Sequence, residues 1–296
     1  MESYNNKNLV SNEYEIIKQL GSGSFGEVYL TRIISTGLLV ASKIEEKEGS
    51  KKSSKIIDEY KIYKKLELKG FKRGIPKIYT IYETPKFHVL VMELLGKNLD
   101  ALFTEHEKKF SLGIVLKLGI DILNLIEKVH NCGFIHRDIK PNNFMFGHGD
   151  KSRELFILDF GLSKRYLKNK KHIEYKTNKS LVGTARYTSI NIHLGIEPSR
   201  RDDLESIGYM LIYFLKGELP WQGLKKQKGI DHLELISEAK LSTSTRKLCT
   251  NIPEQFYEYI QYVRKLTFEE NPDYSYLKNL LIECARETGT NMNYDF

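Results

Sequence analysis

Between Phe134 and Gly161 the chain twice runs from an apolar stretch straight into a polar signature. Gly133-Phe134-Ile135 leads into His136-Arg137-Asp138 with Lys140 and Asn143, and Leu155-Phe156-Ile157-Leu158 leads into Asp159-Phe160-Gly161. Short apolar runs of this kind read as buried strands, and buried strands that end in charged loops are how a rigid scaffold presents reactive side chains. The rest of the chain must supply a core large enough to bury both runs. At 296 residues, 41% hydrophobic and 28% charged, it can do so, as two folding units or one two-lobed domain.

Moving a phosphoryl group onto a hydroxyl requires a carboxylate near the incoming O–H, a cation beside the moving phosphate and oxygen ligands for Mg²⁺. Asp138, Lys140, Asn143 and Asp159 are those residue types, with Asn143 and Asp159 the metal ligands. Upstream, YEIIKQLGSGSFGEVYLTRIISTGLLVASKIE holds β-rich runs broken at Gly21-Gly23-Gly26 and at Ser35-Thr36-Gly37, a spacing that predicts antiparallel strands joined by hairpins. A lone GxGxxG is weak, and the dinucleotide fingerprint needs a helix directly after it. Here Glu27-Val28-Tyr29-Leu30 continues as strand. A glycine loop between strands folds over nucleotide phosphates, because without a Cβ the backbone N–H groups approach closely. Val28 and Ala41 then offer small apolar surfaces to an adenine.

Lys55 to Leu66 carries Ile56, Ile57, Tyr60 and Tyr63 at helical spacing, with Glu59 on the edge of the face turned to the sheet. Ile78–Glu83 and Phe87–Leu95 read as two more strands, and beyond Gly96 the pattern becomes helical. Val115 to His130 is a nearly wholly apolar helix, and Asp203 to Leu215 is the central buried one. Asp203 is placed to cap that helix and to hold the backbone of the Arg137 loop. Phe256–Leu266 and Tyr274–Cys284 continue as helices, and Trp221 is a core anchor.

The pattern HRDxKPxN followed by DFG resembles the eukaryotic protein-kinase catalytic core. That resemblance implies an α+β, bilobal protein-kinase fold: a small antiparallel β-sheet lobe with one main helix (about 13–93), a hinge (about 93–96) and a larger, mostly helical lobe (about 97–288). A flexible arm (1–12) precedes it and a short extension (289–296) follows. It implies ATP and Mg²⁺ as cofactors. Lys43, in Val40-Ala41-Ser42-Lys43, stands where the phosphate-binding lysine of the family lies, with Glu59 as its ion-pair partner. Met92, Glu93 and Leu95 fall at the hinge, where backbone groups meet the adenine edge and Met92 guards the pocket behind. Met145 forms the floor beneath the adenine, facing Ala41.

Kinases in general carry Ala-Pro-Glu after the activation segment, and its glutamate forms a structural ion pair. This chain has Ser189-Ile190-Asn191 instead, followed by HLGIE and SRRDDLES. With GSGSFGEVY, EYKIYKKL, VMELLG, LPWQGL and NPDYSYL, the chain from Tyr14 onward closely resembles the casein kinase 1 family. The resemblance implies a Ser/Thr kinase that is active without activation-loop phosphorylation and prefers acidic or already phosphorylated protein substrates. Lys140, two residues after Asp138, is the Ser/Thr-kinase arrangement. Arg137, Lys164 and Lys179 would converge on one substrate-phosphate pocket, with Arg186 contributing less, because His232 stands where a lysine is expected near it. Asn142 replaces a residue that is usually acidic, with little effect expected. The chain ends at Phe296, and no long regulatory tail is expected.

The net charge of +8 favours anionic partners. Between Asp159 and Tyr187 eight Lys or Arg residues face only Asp159 and Glu174. No basic stripe interleaves with aromatics, so nucleic acid is not expected as a partner. A pseudokinase would lack one of the core Lys, Asp or Asn residues, and none is lost. Cys132, Cys249 and Cys284 are far apart with no CxxC, so neither a disulfide framework nor a zinc site is suggested. With no apolar leader and no membrane segment, a monomer of the cytoplasm or nucleus is expected.

Overall fold

The computed structural model describes residues 9–11, 13–23, 26–47, 54–225 and 229–296. Outside the described residues lie 1–8 and 12 of the arm, Ser24 and Phe25 of the glycine loop, 48–53 of the charged connection and 226–228. The chain divides into two compact units, one running to Gly96 and including Met145–Gly161, the other comprising Lys97–Phe144 and Leu162–Phe296.

The first unit is built on an antiparallel sheet in the order β1-β2-β3-β4-β6-β5, formed by β1 (Leu9–Ser11), β2 (Tyr14–Gly23), β3 (Gly26–Ile33), β4 (Leu39–Glu46), β5 (Ile78–Glu83) and β6 (Phe87–Glu93). Leu9–Ser11, expected within the flexible arm, is instead a strand paired with β2. Register sets the two faces apart. Val28 lies opposite Lys43, which lies opposite Leu90, and Leu30 lies opposite Ala41, which lies opposite Met92. Strand side chains alternate, so these six residues share one face. The other face packs Tyr14, Val40, Ile44, Val89 and Val91 with Tyr29, Tyr79 and Tyr82 as a small core. Gly26 is fixed by that packing: at φ +127° a Cβ there would sit 2.2 Å from the Ile44 carbonyl oxygen.

Helix α1 (Lys55–Leu68) starts where Ser54 Oγ accepts from Ile57 N, and Glu45 accepts from Lys55 N and Ile56 N. It buries Ile56, Glu59, Tyr63 and Leu66, a face at spacings of three and four. The hairpin of strands Phe144–Phe146 and Leu155–Ile157 was expected in the larger lobe. Its residues from Met145 onward belong to the first unit, because Gly96 N donates to Phe146 O, Ile157 N donates to Gly74 O and Lys151 pairs with Glu93.

The second unit contains α2 (Leu99–Glu105), α3 (Leu112–Asn131), α4 (Ile190–His193), α5 (Arg200–Lys216), α6 (His232–Ser242), α7 (Thr245–Leu248), α8 (Glu254–Lys265) and α9 (Tyr274–Thr288). Helix α3 packs on α5 and α9, and α5 on α8. Leu204, Ile207, Met210, Leu211, Ile212 and Phe214 of α5 are fully buried, and each such side chain contributes about 1.5–3 kcal/mol by leaving water. Helix α5 begins three residues before Asp203, and the capping contact is made by Asp202, whose Oδ2 accepts from Ser199 N at 2.7 Å. Asp203 is thereby free for a different task. The final residues are packed too: Tyr294 donates to Asp121 Oδ2 at 2.6 Å and stacks on Phe296.

Candidate active site

In the first unit, β4 carries Lys43 and α1 carries Glu59 to one point. Lys43 Nζ lies 2.7 Å from Glu59 Oε2 and 3.2 Å from Asp159 Oδ1. Glu59 is 1% exposed, so it lies inside the helix–sheet contact and not on an edge. Burial alone would lower the Lys43 ammonium, but the Glu59 and Asp159 carboxylates outweigh it and hold the pKa above its ordinary value. The lysine is therefore a fixed cation. Tyr63, one turn beyond Glu59, accepts from Asp159 N at 3.3 Å and meets the Phe160 ring edge-on at 5.0 Å. Asp159 adopts φ +61°, an uncommon conformation for a non-glycine residue.

The remaining nucleotide candidates are distributed as follows. Gly21 pairs with Val28 and Gly23 with Gly26 across the hairpin, and Gly21 faces open space. Val28, Ala41 and Met92 share the Lys43 face of the sheet. Strand β6 ends at Glu93, and Leu94-Leu95 run on before Gly96 bonds Phe146. The Glu93 side chain is engaged by Lys77 N and Lys151, and its backbone N–H donates to Lys77 O at 2.8 Å. Met145 is half-buried on its hairpin strand.

In the second unit the catalytic-loop candidates form one hydrogen-bonded set. Asp138 is buried, and its Oδ2 receives Lys140 Nζ at 2.7 Å and Asn143 Nδ2 at 3.3 Å. Its Oδ1 receives the Thr184 hydroxyl at 2.8 Å. Asn143 Nδ2 also donates to Asp138 O at 2.8 Å, so its Oδ1 remains as a hard oxygen donor of the kind Mg²⁺ takes. Gly183 makes the Thr184 contact possible, since a Cβ there would meet the Arg137 carbonyl oxygen at 2.4 Å.

Asp203 holds this loop from behind. His136 N and Arg137 N donate to it at 2.7 and 2.8 Å, and His130 Nε2 adds a third bond at 2.9 Å. Burial would raise the Asp203 carboxyl, but the His130 bond and the backbone N–H groups outweigh it and keep it low. The expected hold on the Arg137 backbone is present, while the expected cap is not.

Arg137, with φ +69°, points Nε at Leu162 O. Lys164 and Lys179 lie near a residue that sequence reading passed over: Glu197, buried, 2.7 Å from Lys164 and 3.9 Å from Lys179. Arg186 stands apart from them, over the Tyr187 and Tyr213 rings. A second residue that sequence reading passed over is Lys240, whose Nζ is buried and donates to Ala185 O at 2.8 Å and to Thr188 O at 2.5 Å. The spacing Ile236 to Lys240 puts this lysine on the apolar face of α6, the one signal that could have marked it.

The first unit presents a fixed cation with two carboxylates, and the second a carboxylate clamped by lysine, amide and hydroxyl; each is a set of residue types that phosphoryl transfer employs. Residues 14–284 match the protein kinase domain model, and the chain belongs to the protein kinase family. Protein kinases use ATP and Mg²⁺ and act on proteins. Among the described residues no helix is long and apolar enough to cross a membrane.

Proposed function

We propose that the chain is a serine/threonine protein kinase of casein kinase 1 type, acting on acidic or pre-phosphorylated proteins. The observation that carries this reading is the grip on Asp138 by Lys140, Asn143 and Thr184. A carboxylate so oriented accepts a hydrogen bond from an incoming serine or threonine hydroxyl and takes its proton as the phosphoryl group arrives. Lys140 screens charge on the moving group. Lys43, positioned by Glu59, holds the nucleotide phosphates, and Asp159 and Asn143 have the oxygen donors that Mg²⁺ requires. When bound, MgATP supplies the transferable phosphoryl group and the metal's charge neutralisation. Gly21, Gly23, Gly26, Val28, Ala41, Met92, the Glu93–Leu95 backbone and Met145 are the residues that would hold the nucleotide.

The casein kinase 1 assignment is supported by the Ser-Ile-Asn segment and by how it is anchored. Ser189 Oγ donates to Asp202 Oδ1 at 2.5 Å, and Ile190 N donates to Glu205 Oε1 at 3.2 Å. Glu205 faces Arg264 at 3.7 Å. A buried acid–arginine pair thus stands behind the segment although Ala-Pro-Glu is missing. Arg137, Lys164 and Lys179 favour an anionic substrate group, and Arg186 is assigned a smaller part. Purified chain with labelled MgATP and peptides differing only in acceptor (Ser, Thr, Tyr) and in priming tests the reading. Label on primed Ser or Thr peptides is expected, and transfer confined to tyrosine would overturn it.

A further inference from the structure

Glu197 is a buried acid set against lysines of the most basic stretch of the chain, residues 159–187. It is 3% exposed, and a buried carboxylate is costly unless cations and hydrogen bonds compensate it. The compensation comes from Lys164 at 2.7 Å and Lys179 at 3.9 Å; burial lowers the half-buried Arg137 guanidinium below its ordinary value, and the Glu197 carboxylate acts against that shift. Its backbone is tied to the same segment: Glu197 N donates to Lys176 O at 2.8 Å, and Lys179 N donates to Gly195 O at 2.9 Å. One carboxylate therefore ties Lys179 to Lys164, with the Arg137 loop within its field. A cavity of about 740 Å³ opens beside it, lined by Lys164, Lys168, Lys171, His172 and Lys176 together with the carboxylates Glu174 and Glu197, so a small anion can reach the Lys164–Glu197 pair.

We propose that Glu197 is a built-in counter-ion, standing in for a bound phosphate so that the activation segment and the Arg137 loop keep their arrangement when the chain is unphosphorylated and no anionic substrate is present. Glu197 is a positioning residue: it acts through Arg137, Lys164 and Lys179 and touches no reacting atom. Removing its charge leaves those cations to repel one another across the segment, and a dianion from solution should then take its place. The consequence for turnover rests on the proposed kinase activity, whereas the consequence for anion binding does not.

The test uses the whole chain as wild type, Glu197→Gln and the double variant Glu197→Gln/Lys164→Gln, unfolded thermally while inorganic phosphate is titrated at matched ionic strength. Glu197→Gln should melt lower than wild type without phosphate and recover with it, its half-effect falling at a phosphate concentration about tenfold or more below that of wild type. The double variant, having lost a charge of each sign, should need no phosphate. With an unprimed peptide, Glu197→Gln should turn over about tenfold more slowly and regain rate as phosphate is added, while wild type does not respond. An identical phosphate response in wild type and Glu197→Gln, or a stability loss that phosphate does not restore, would overturn the proposal. If Glu197→Gln alone fails to fold and the double variant folds, the charge account stands. If both fail, Glu197 serves packing and the proposal falls. Absence of kinase activity in the wild type would remove the activity reading and leave the melting comparison to decide this one.

Discussion

Asp203→Asn isolates how the catalytic loop is held, because it keeps the shape of the side chain and changes one acceptor oxygen into a donor. In the wild type Oδ2 receives His136 N and His130 Nε2, and Oδ1 receives Arg137 N. With the new amide turned one way, its NH₂ faces His136 N–H and His130; turned the other way, it faces Arg137 N–H. Either way a buried backbone N–H points at a donor, which costs about 1–3 kcal/mol, and the loss of charge weakens the remaining bonds. His130 can relieve the first arrangement by changing tautomer, since its Nδ1 lies 2.6 Å from the Tyr274 hydroxyl. The net expectation is a loss of about 2–4 kcal/mol for Asn and about 3–5 kcal/mol for Ala, where every bond goes. Urea unfolding should show a lower midpoint at unchanged slope, with turnover falling in parallel. Because the Asp203 carboxyl is held low, its contribution is complete above about pH 4 and fades as the pH drops through the folded-state value. A loss under about 1 kcal/mol for Asp203→Asn would refute the reasoning.

Glu59→Gln should remove one carboxylate from Lys43 and leave Asp159 beside it, cutting kcat/KM by about tenfold or more, read from initial rates against ATP; an unchanged value would remove Glu59 from the site. Thr184→Val should slow turnover by roughly fivefold through loss of one hydrogen bond to Asp138, whereas Thr184→Asp should nearly abolish it by setting a carboxylate where the hydroxyl lies 2.8 Å from Asp138 Oδ1; equal rates in the two variants would contradict this. His193 is held down to about 4 by burial and by the Lys240 ammonium. Since the unfolded chain takes up that proton near pH 6.5, stability should fall by up to about 3 kcal/mol between pH 6.5 and 4. Above that window the group has no effect. His193→Gln should flatten the dependence, and an unaltered pH profile would show that another group sets it.

The strands and helices of the chain were legible because each carries its own signal. The β-rich runs of Gly26–Ile33 and Leu39–Glu46, bounded by turn residues, and the three-and-four spacing of Ile56, Glu59, Tyr63 and Leu66 report local geometry directly. The Lys43–Glu59 pair, read from a motif and a helix face, is present at 2.7 Å. Long-range polar partners were harder to see. Glu197 sits in an unremarkable HLGIE stretch, and its meaning comes from Lys164 and Lys179, which only the folded activation segment brings to it. Lys240 is invisible as a buried group until the carbonyls of Ala185 and Thr188 are placed at its tip. Thr184 carries no signal of its own in the sequence, and its bond to Asp138 depends on the close approach that Gly183 allows. The unit boundary was missed at Met145–Gly161 because hydrogen bonds to Gly74 and Gly96, far away in sequence, decide where that hairpin belongs.

The central claim is that this chain phosphorylates serine or threonine through Asp138, and labelled phosphate transfer to a primed serine peptide by wild type and Asp138→Asn tests it most directly. The account predicts transfer by the unphosphorylated wild-type chain, and about 10²–10⁴-fold slower transfer by Asp138→Asn with melting temperature and ATP affinity retained. Near wild-type transfer by Asp138→Asn, or no transfer by a wild-type chain that binds MgATP, would contradict it.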